Sequence, residues 1–506
     1  MTDRIGSLHR ALAELGLGPQ PQSLIDGAFC DGDGAEIILT DPFTEETLFT
    51  YRDAGADLAR AAADAADRAQ KQWVTNFSAA DRGRVMQEFS RNILAHAAPL
   101  AHVEALTAGK PIRDCAIEIA KVAEMFAYYG GWADKLHGAV IPVPSGHLNF
   151  TKRMPLGVVF QITPWNAPAF TGGWQIAPAI ATGNGVVIKP SELTPLTTVA
   201  LSHLGEAAGV PRGLVNVLAG LGPTTGAAAI AAPAIRKVIF VGSPGTGRIV
   251  AGAAAAALKP AVLELGGKSA NIVFDDAHLD QACLGAQAAI FAAAGQSCVA
   301  GSRLLVQKSI HRDFVDRMAR GMARITLGDP LDPDTEIGPI STRTQRAHVT
   351  GMIDAARDAG ATIHSPAPRP GPGFFVPPTI LDGLDSRARP AQEEIFGPVV
   401  TVLPFADEAE AIALANDTEF GLAGAVWTAD IGRAHRVADA VRAGTFWINS
   451  YKAIHVSSPF GGALNSGWGR SSGTDALMEY TAAKSIWLDQ APVARVAFGY
   501  VPDGSP

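Results

Sequence analysis

Val238-Ile239-Phe240-Val241-Gly242-Ser243-Pro244-Gly245-Thr246-Gly247 decides the fold. Its first four residues are β-branched or aromatic, as a buried strand requires, and the glycines and proline after them turn the chain into a helix expected over 248–258. Short strands of the same kind precede it at Val158-Val159-Phe160-Gln161-Ile162, Val186-Val187-Ile188-Lys189 and Val215-Asn216-Val217-Leu218, with helical stretches at 174–182, 196–208 and 224–231 between them. Strands alternating with helices make right-handed crossovers and a parallel, doubly wound sheet, which takes its ligands at the strand carboxyl ends. Gly242, Gly245 and Gly247 let the backbone approach a pyrophosphate closely, and free N–H groups at a helix start favour an anion, so a dinucleotide fits this turn. The spacing departs from GxGxxG, however, and a plain strand-to-helix turn accounts for it equally well.

Outward from this unit, a second series of strands begins at Ala261-Val262-Leu263-Glu264 and Asn271-Ile272-Val273-Phe274 and continues through 303–307, 399–403, 424–428 and 445–449, with helices at 314–325, 342–359 and 408–415. It reads as a second α/β domain, joined near Gly266-Gly267, so that Glu264 falls beside an inter-domain cleft of the kind that favours ligands. Upstream, 1–18 reads as a short amphipathic helix without the apolar core of a leader, and 58–71, 82–106 and 112–132 read as helices. Residues 138–152 mix β-branched residues with two prolines and suit an extended arm, and Ser485-Ile486-Trp487-Leu488-Asp489 reads as a last strand that pairs with the arm of another subunit.

The chain has 506 residues, 47% of them hydrophobic, enough for two or more domains of ordinary size. A net charge of -8 without clusters of Lys and Arg argues against nucleic acid, and no apolar run approaches the ~20 residues of a membrane span, so the expected partner is a small molecule. Cys30, Cys115, Cys283 and Cys298 lack CxxC spacing, which indicates neither a disulfide framework nor a metal site and favours a reducing cytoplasm.

Cys298 is the candidate nucleophile. It follows an uncharged Ala-rich run, 282–294, read as a buried helix that breaks at Gly295, and a strand-like run, 303–307, stands behind it. Alone, such a thiol reads first as a small buried hydrophobe. Asn166, held between Pro164 and Pro168, either donates its amide to a developing oxyanion or caps the local backbone. Glu264, flanked by leucines and followed by Gly266-Gly267, is either a general base raised by burial or a strand-end carboxylate facing solvent. Lys189 and Glu192, just past a strand end, suit a ribose diol, where the carboxylate would repel a 2′-phosphate and favour NAD over NADP, or else are solvated charges at a helix start.

Taken in order, these segments resemble the aldehyde dehydrogenase superfamily. The resemblance runs from about Ser23-Leu24-Ile25-Asp26-Gly27 to about Trp487 and includes Pro164-Trp165-Asn166, Lys189-Pro190-Ser191-Glu192, Phe240-Val241-Gly242-Ser243, Glu264-Leu265-Gly266-Gly267, Gly295-Gln296-Ser297-Cys298, Glu394-Ile395-Phe396-Gly397-Pro398 and Pro459-Phe460-Gly461-Gly462. It implies a doubly wound NAD-binding domain at 1–130 and 152–265, a catalytic domain at 266–465, and a β oligomerisation arm at 131–151 and 480–492 that gives homodimers or homotetramers. It also implies oxidation of an aldehyde to a carboxylic acid: Cys298 attacks the carbonyl carbon, Asn166 and the Cys298 N–H hold the oxyanion, and Glu264 activates the water that hydrolyses the thioester. Matched cofactor positions are Ile162, Trp165, Lys189, Glu192, Gly222, Gly242, Ser243, Gly247, Leu265, Gln345, Glu394 and Phe396.

Many relatives carry a lysine where this chain has Gln175 and a glutamate where it has Ser471, a pair tied to proton relay. Without them Glu264 is expected to lose its proton directly to solvent, with deacylation insensitive to either residue. Ser297, Val299, Tyr451, Lys452, Ile454 and His455, with Ala167, Phe170 and Trp174 opposite, are expected around an apolar or aromatic aldehyde. Lys452 reads as a solvated rim charge, and a semialdehyde acid bound through Lys452 or His455 is the secondary reading. Transfer of the acyl group to coenzyme A, a thiol esterase side activity, or a catalytically silent protein of the same fold are the competing readings.

Overall fold

The computed structural model describes residues 3–144, 146–490 and 498–499. Its first sheet has eight strands in the order Ala28–Cys30, Ser23–Ile25, Val215–Val217, Gly185–Lys189, Val158–Ile162, Ile235–Val241, Ala261–Glu264 and Gly467–Trp468. The five strands between Ser23–Ile25 and Gly467–Trp468 are parallel. Successive side chains point to opposite faces, and both faces are apolar, as a sheet covered by helices on each side requires. Phe160, Val187, Val238 and Phe240 pack with Ala59 and Ala62 of helix Gly55–Thr75 and Val250 and Ala254 of helix Pro244–Ala256. Val159, Val186, Ile188 and Ile239 instead pack with Ile176 and Leu201, on helices Pro168–Ala181 and Leu196–Ala207.

From Val158–Ile162 the chain winds outward through Gly185–Lys189 and Val215–Val217, then returns to the other side of Val158–Ile162 with Ile235–Val241 and Ala261–Glu264. The strand order therefore reverses between Val158–Ile162 and Ile235–Val241, and a crevice opens there at the carboxyl ends.

The second sheet runs Thr362–His364, Thr379–Asp382, Val399–Phe405, Arg303–Gln307, Ala270–Val273, Ala423–Trp427 and Thr445–Ile448. It is likewise buried on both faces, with Leu304, Val306 and Val402 in one cluster and Ile272, Leu305 and Val426 in another. Leu265 to Ser269 bridge the two sheets, so the carboxyl end of Ala261–Glu264 leads directly into the amino end of Ala270–Val273. A third, antiparallel sheet joins Thr481–Asp489, His147–Pro155 and Val140–Ile141.

Several boundaries differ from the sequence reading. The stretch 82–106 is two helices, Ala79–Ala95 and Ala97–Ala108, broken at His96, whose φ of -110° leaves helical geometry. Ser243 caps a helix that begins at Pro244 rather than 248, because proline at the first helical position costs no hydrogen bond. The arm strand reaches Pro155, helix Ile112–Trp132 takes the first residues assigned to the arm, and the last strand pairs with the arm of its own chain, from Thr481↔Pro155 to Asp489↔His147. Positions 491 and 492 of the expected arm lie outside the described residues. The antiparallel strand Gly467–Trp468, beyond both assigned domain ranges, closes the edge of the first sheet at Glu264↔Gly467. Among the described residues no helix is long and apolar enough to cross a membrane, and no three His, Cys, Asp or Glu side chains converge as metal ligands would.

Candidate active site

Cys298 is placed by a turn that only its distant contacts explain. Helix Leu279–Phe291 ends earlier than the Ala-rich run suggests, and Ala293, Ala294 and Gly295 follow with φ of 54°, 53° and 68°. Left-handed geometry costs a residue with a Cβ roughly 1–2 kcal/mol, so other contacts must hold the two alanines there. Gly295 lies against the backbone of Gly397, whose oxygen would stand 2.0 Å from an added Cβ. Gln296 donates its N–H to the Ala293 carbonyl at 3.1 Å and accepts the Ser341 N–H on its side-chain oxygen at 2.9 Å. The turn is thus clamped from two sides. Gly295→Ala is expected to lower stability by about 1–3 kcal/mol or more and to displace the thiol, checked by thermal unfolding together with the alkylation rate of Cys298.

The thiol is half-buried on the wall of a cavity of about 600 Å³ at the crevice between the sheets. Enclosure, with Glu394 and Glu264 adding negative charge, pushes its pKa up to about 12, so the resting group is the thiol. Asn166 lies in the segment between strand Val158–Ile162 and helix Pro168–Ala181, and donates its amide to the Gln296 carbonyl at 2.9 Å. That bond ties the amide to the turn carrying Cys298.

Glu264, the last residue of its strand, is buried, and burial pushes its carboxyl up to about 8. Oε1 accepts from the Ser471 hydroxyl at 2.7 Å, which offsets part of that rise, while Oε2 has no protein partner. Gln175 Nε2 in turn donates to Ser471 Oγ at 3.3 Å, and the Tyr480 hydroxyl donates to Gln175 Oε1 at 2.9 Å. The pair whose mutation is expected, on sequence grounds, to leave deacylation unchanged is thus in contact with Glu264: Ser471, three residues past strand Gly467–Trp468, sits on the carboxylate, and a buried hydrogen-bonded file through Gln175 continues behind it. Removing a donor to the charged form disfavours that form. Ser471→Ala is accordingly expected to move the alkaline-rising limb of deacylation to higher pH and to slow it about 3- to 10-fold at pH 7, measured by single-turnover hydrolysis across pH.

Of the cofactor positions read from the sequence, Trp165, Gly242, Ser243, Leu265, Gln345, Glu394 and Phe396 line the same cavity as Cys298. Ile162, Lys189, Glu192, Gly222 and Gly247 do not, and lie instead along the carboxyl edge of the first sheet and the helix start beside it. Lys189 ends its strand with Nζ donating to the carbonyls of Pro190 and Gly220 at 2.8 Å each, 3.7 Å from the Glu192 carboxylate. Gln345 donates its amide to the Ile395 and Phe396 carbonyls at 3.0 Å each, so it fixes the loop that carries Glu394 rather than facing outward. Glu394 Oε1 accepts the Gly267 N–H at 3.0 Å, and burial pushes this carboxyl up to about 7.

The substrate wall also differs from expectation. Ala167, Phe170, Trp174, Ser297, Val299 and Ile454 line the cavity as read, joined by Phe460, whose ring meets Trp174 edge-on at 5.4 Å. Tyr451 lies beneath the wall, donating its hydroxyl to the Val299 carbonyl at 3.0 Å. His455 turns outward to Glu124, 2.7 Å away. Lys452, read as a solvated rim charge, is only part-exposed and lines the cavity. Asp114 and Glu118, one helical turn apart on Ile112–Trp132, line it too, a spacing that signalled one shared face.

A thiol facing the start of a phosphate-compatible helix across one crevice suits a nucleotide-dependent oxidoreductase that works through a covalent cysteine intermediate. Comparison with known proteins narrows this class. The sequence pattern described as "Aldehyde dehydrogenase family" matches residues 29–486, and the chain belongs to that family. It is 40% identical to a betaine aldehyde dehydrogenase of Bacillus subtilis (strain 168) over 480 residues, 93% of this chain and 98% of that one. It is 42% identical to an aldehyde dehydrogenase of Aspergillus niger over 471 residues, 92% and 95% of the two chains. Among solved structures, PnpE from Pseudomonas sp. WBC-3 superposes with a TM-score of 0.92 at 42% identity, covering 95% of this chain and 99% of that one. PnpE has also been solved in complex with nicotinamide adenine dinucleotide.

Proposed function

We propose that this protein oxidises an apolar or aromatic aldehyde to its carboxylic acid with NAD+, through a thioester on Cys298. The observation that carries the reading is the cavity itself, which brings Cys298, Glu264 and Asn166 together with Gly242 and Ser243 of the nucleotide turn. A dinucleotide fits the residues present. Ser243 caps a full-length helix whose Gly245 faces open space, and Glu192 stands at the sheet edge as an acceptor for ribose hydroxyls. When bound, NAD+ supplies the acceptor for the hydride that leaves the substrate carbon.

The residues of the chain do the rest. Cys298 Sγ bonds to the carbonyl carbon as its proton passes to solvent water, and the carbonyl oxygen takes the negative charge between the Asn166 amide and the Cys298 N–H. Once the carbon has lost its hydride it is a thioester, and Glu264 takes a proton from water as the water oxygen bonds to that carbon. The C–S bond then breaks, the acid leaves, and Cys298 regains a proton. With Glu264 near 8, the basic form grows as pH rises from 7 to 9, and hydrolysis rises with it. Phe170, Trp174, Phe460, Ile454 and Val299 keep the pocket apolar, which suits a hydrocarbon or aromatic tail.

The exposed edge of the arm supports a homodimer or homotetramer. Val140 and Trp487 in that sheet are 72% and 58% exposed, more than an isolated subunit usually leaves open. For the nucleotide, Glu192→Ser is expected to relax the preference for NAD+ over NADP+ by about 10-fold or more, read as the ratio of kcat/KM values. The function itself is tested by NADH absorbance with NAD+ or NADP+ against aliphatic, aromatic and carboxylated aldehydes, with and without coenzyme A. Turnover that requires coenzyme A, or a hydrolytic activity independent of nucleotide, would replace the reading.

A further inference from the structure

One polar group in the cavity has unspent hydrogen-bonding capacity and no role in the steps above. Lys452 shares the cavity wall with Cys298, Ile454 and Phe460. Its ammonium has three donors, and one meets the Ala288 carbonyl at 3.3 Å. Among the described residues no carboxylate stands within 4.0 Å of it, whereas the neighbouring acids are differently placed. Glu118 is closed onto Lys110, which also meets Glu104 at 3.2 Å, so its charge is spent inside a buried network. Asp114 lies 3.8 Å from the Arg113 guanidinium, and burial pushes its carboxyl up, which weakens it as an anion.

Lys121, on the same helix, lines the cavity as a second cation. Burial lowers the Lys452 ammonium to about 8, with Cys298 first and then Asp114 and Glu118 opposing the fall, so it stays largely charged at pH 7. A mostly enclosed cation with idle donors is stabilised by an anionic partner of matching reach, and among the described residues none forms an ion pair with it within 4.0 Å.

We propose that Lys452 is the carboxylate-binding group of the substrate site, and that the aldehydes taken are oxo acids: an aldehyde at Cys298, an aromatic or unsaturated body between Trp174 and Phe460, and a carboxylate seated on Lys452. This rests on the aldehyde-oxidising reading of the site and narrows its substrate class. The anion fixes the far end of the molecule, so its binding energy orients the reacting carbonyl. Lys452 acts here as a specificity residue.

The test pairs 4-carboxybenzaldehyde with benzaldehyde, which differ only in the far carboxylate, and adds betaine aldehyde as a cationic probe. The wild-type enzyme is expected to favour 4-carboxybenzaldehyde over benzaldehyde by about 10-fold or more in kcat/KM. Lys452→Met is expected to lower kcat/KM for 4-carboxybenzaldehyde about 10- to 100-fold, chiefly through KM, while leaving benzaldehyde within about 3-fold. Lys452→Arg should keep most of the preference, and benzaldehyde turnover reports that each variant is folded. An equal fall for both aldehydes, with a slower alkylation of Cys298, would assign Lys452 to the thiol and overturn the inference. So would a wild-type preference for benzaldehyde or betaine aldehyde. If no aldehyde yields NADH in the wild type, the aldehyde-oxidising reading fails along with it, an outcome separate from loss of the carboxylate preference alone.

Discussion

Glu264→Gln is expected to produce about one equivalent of NADH per active site in a rapid burst and then nearly stop, with steady-state kcat lowered on the order of 10²- to 10⁴-fold. Glutamine keeps the shape of the side chain, and its carbonyl oxygen can still accept from the Ser471 hydroxyl that holds Oε1 at 2.7 Å. It cannot take a proton from water. The substitution leaves Cys298 and Asn166, which make the thioester, untouched, so the first half of the reaction survives while the second loses its base. Substitution also removes a buried carboxyl that costs desolvation when charged, and the variant should be no less stable than the parent at pH 8 and above. Steady-state turnover at the parent rate would show that another group activates the water, and Glu394, a carboxyl of the same cavity also raised by burial, is the first candidate.

Cys298→Ala is the second large effect: no burst, and kcat/KM lowered on the order of 10⁴-fold or more, read by stopped-flow NADH absorbance. Binding of NAD+ should change little, because Lys189, Glu192 and the helix start at Pro244 lie along the sheet edge away from the thiol. Alanine fits the turn without strain at Ala293 and Ala294, which is set by Gly295 against Gly397 and not by the sulfur. A fall in stability comparable to that expected for Gly295→Ala would instead make Cys298 a structural residue.

Much of this was legible in the sequence where local chemistry and tertiary environment agree. Strands Val158–Ile162, Ala261–Glu264 and Arg303–Gln307 have the bounds their β-branched and aliphatic runs suggest, because each run ends at residues that change backbone direction. Helix Ile112–Trp132 follows its apolar spacing equally well. Asn166 stood out as an amide held between prolines, Glu264 as a lone carboxylate at the end of an apolar strand and Cys298 as a thiol in a Gly- and Ser-rich turn, and one cavity does join them.

The rest depends on contacts that no local pattern carries. Three alanines before Gly295 have the highest helix propensity available, yet two are left-handed, since the backbone of Gly397 presses on the turn from a distant loop. Ser471 reaches Glu264 through a two-residue strand, Gly467–Trp468, too short to show a period in the sequence. Lys452 read as a solvated charge because side-chain type predicts exposure, whereas the fold places it on the cavity wall. The arm was visible as an extended, proline-bearing excursion, but its partner within the same chain is set by register over nine residue pairs, from Pro155 to His147.

The most direct measurement of the central claim is the mass of the Glu264→Gln protein, mixed with NAD+ and an aldehyde that the parent enzyme oxidises, quenched in acid within the burst and then digested. A thioester on Cys298 adds the acyl group and removes one hydrogen, and that increment is expected on the peptide containing Gly295 to Arg303, at a stoichiometry matching the NADH burst. It should disappear in the Cys298→Ala, Glu264→Gln double variant. A full burst with no acyl increment on that peptide, or with the increment on another residue, would contradict covalent catalysis by Cys298.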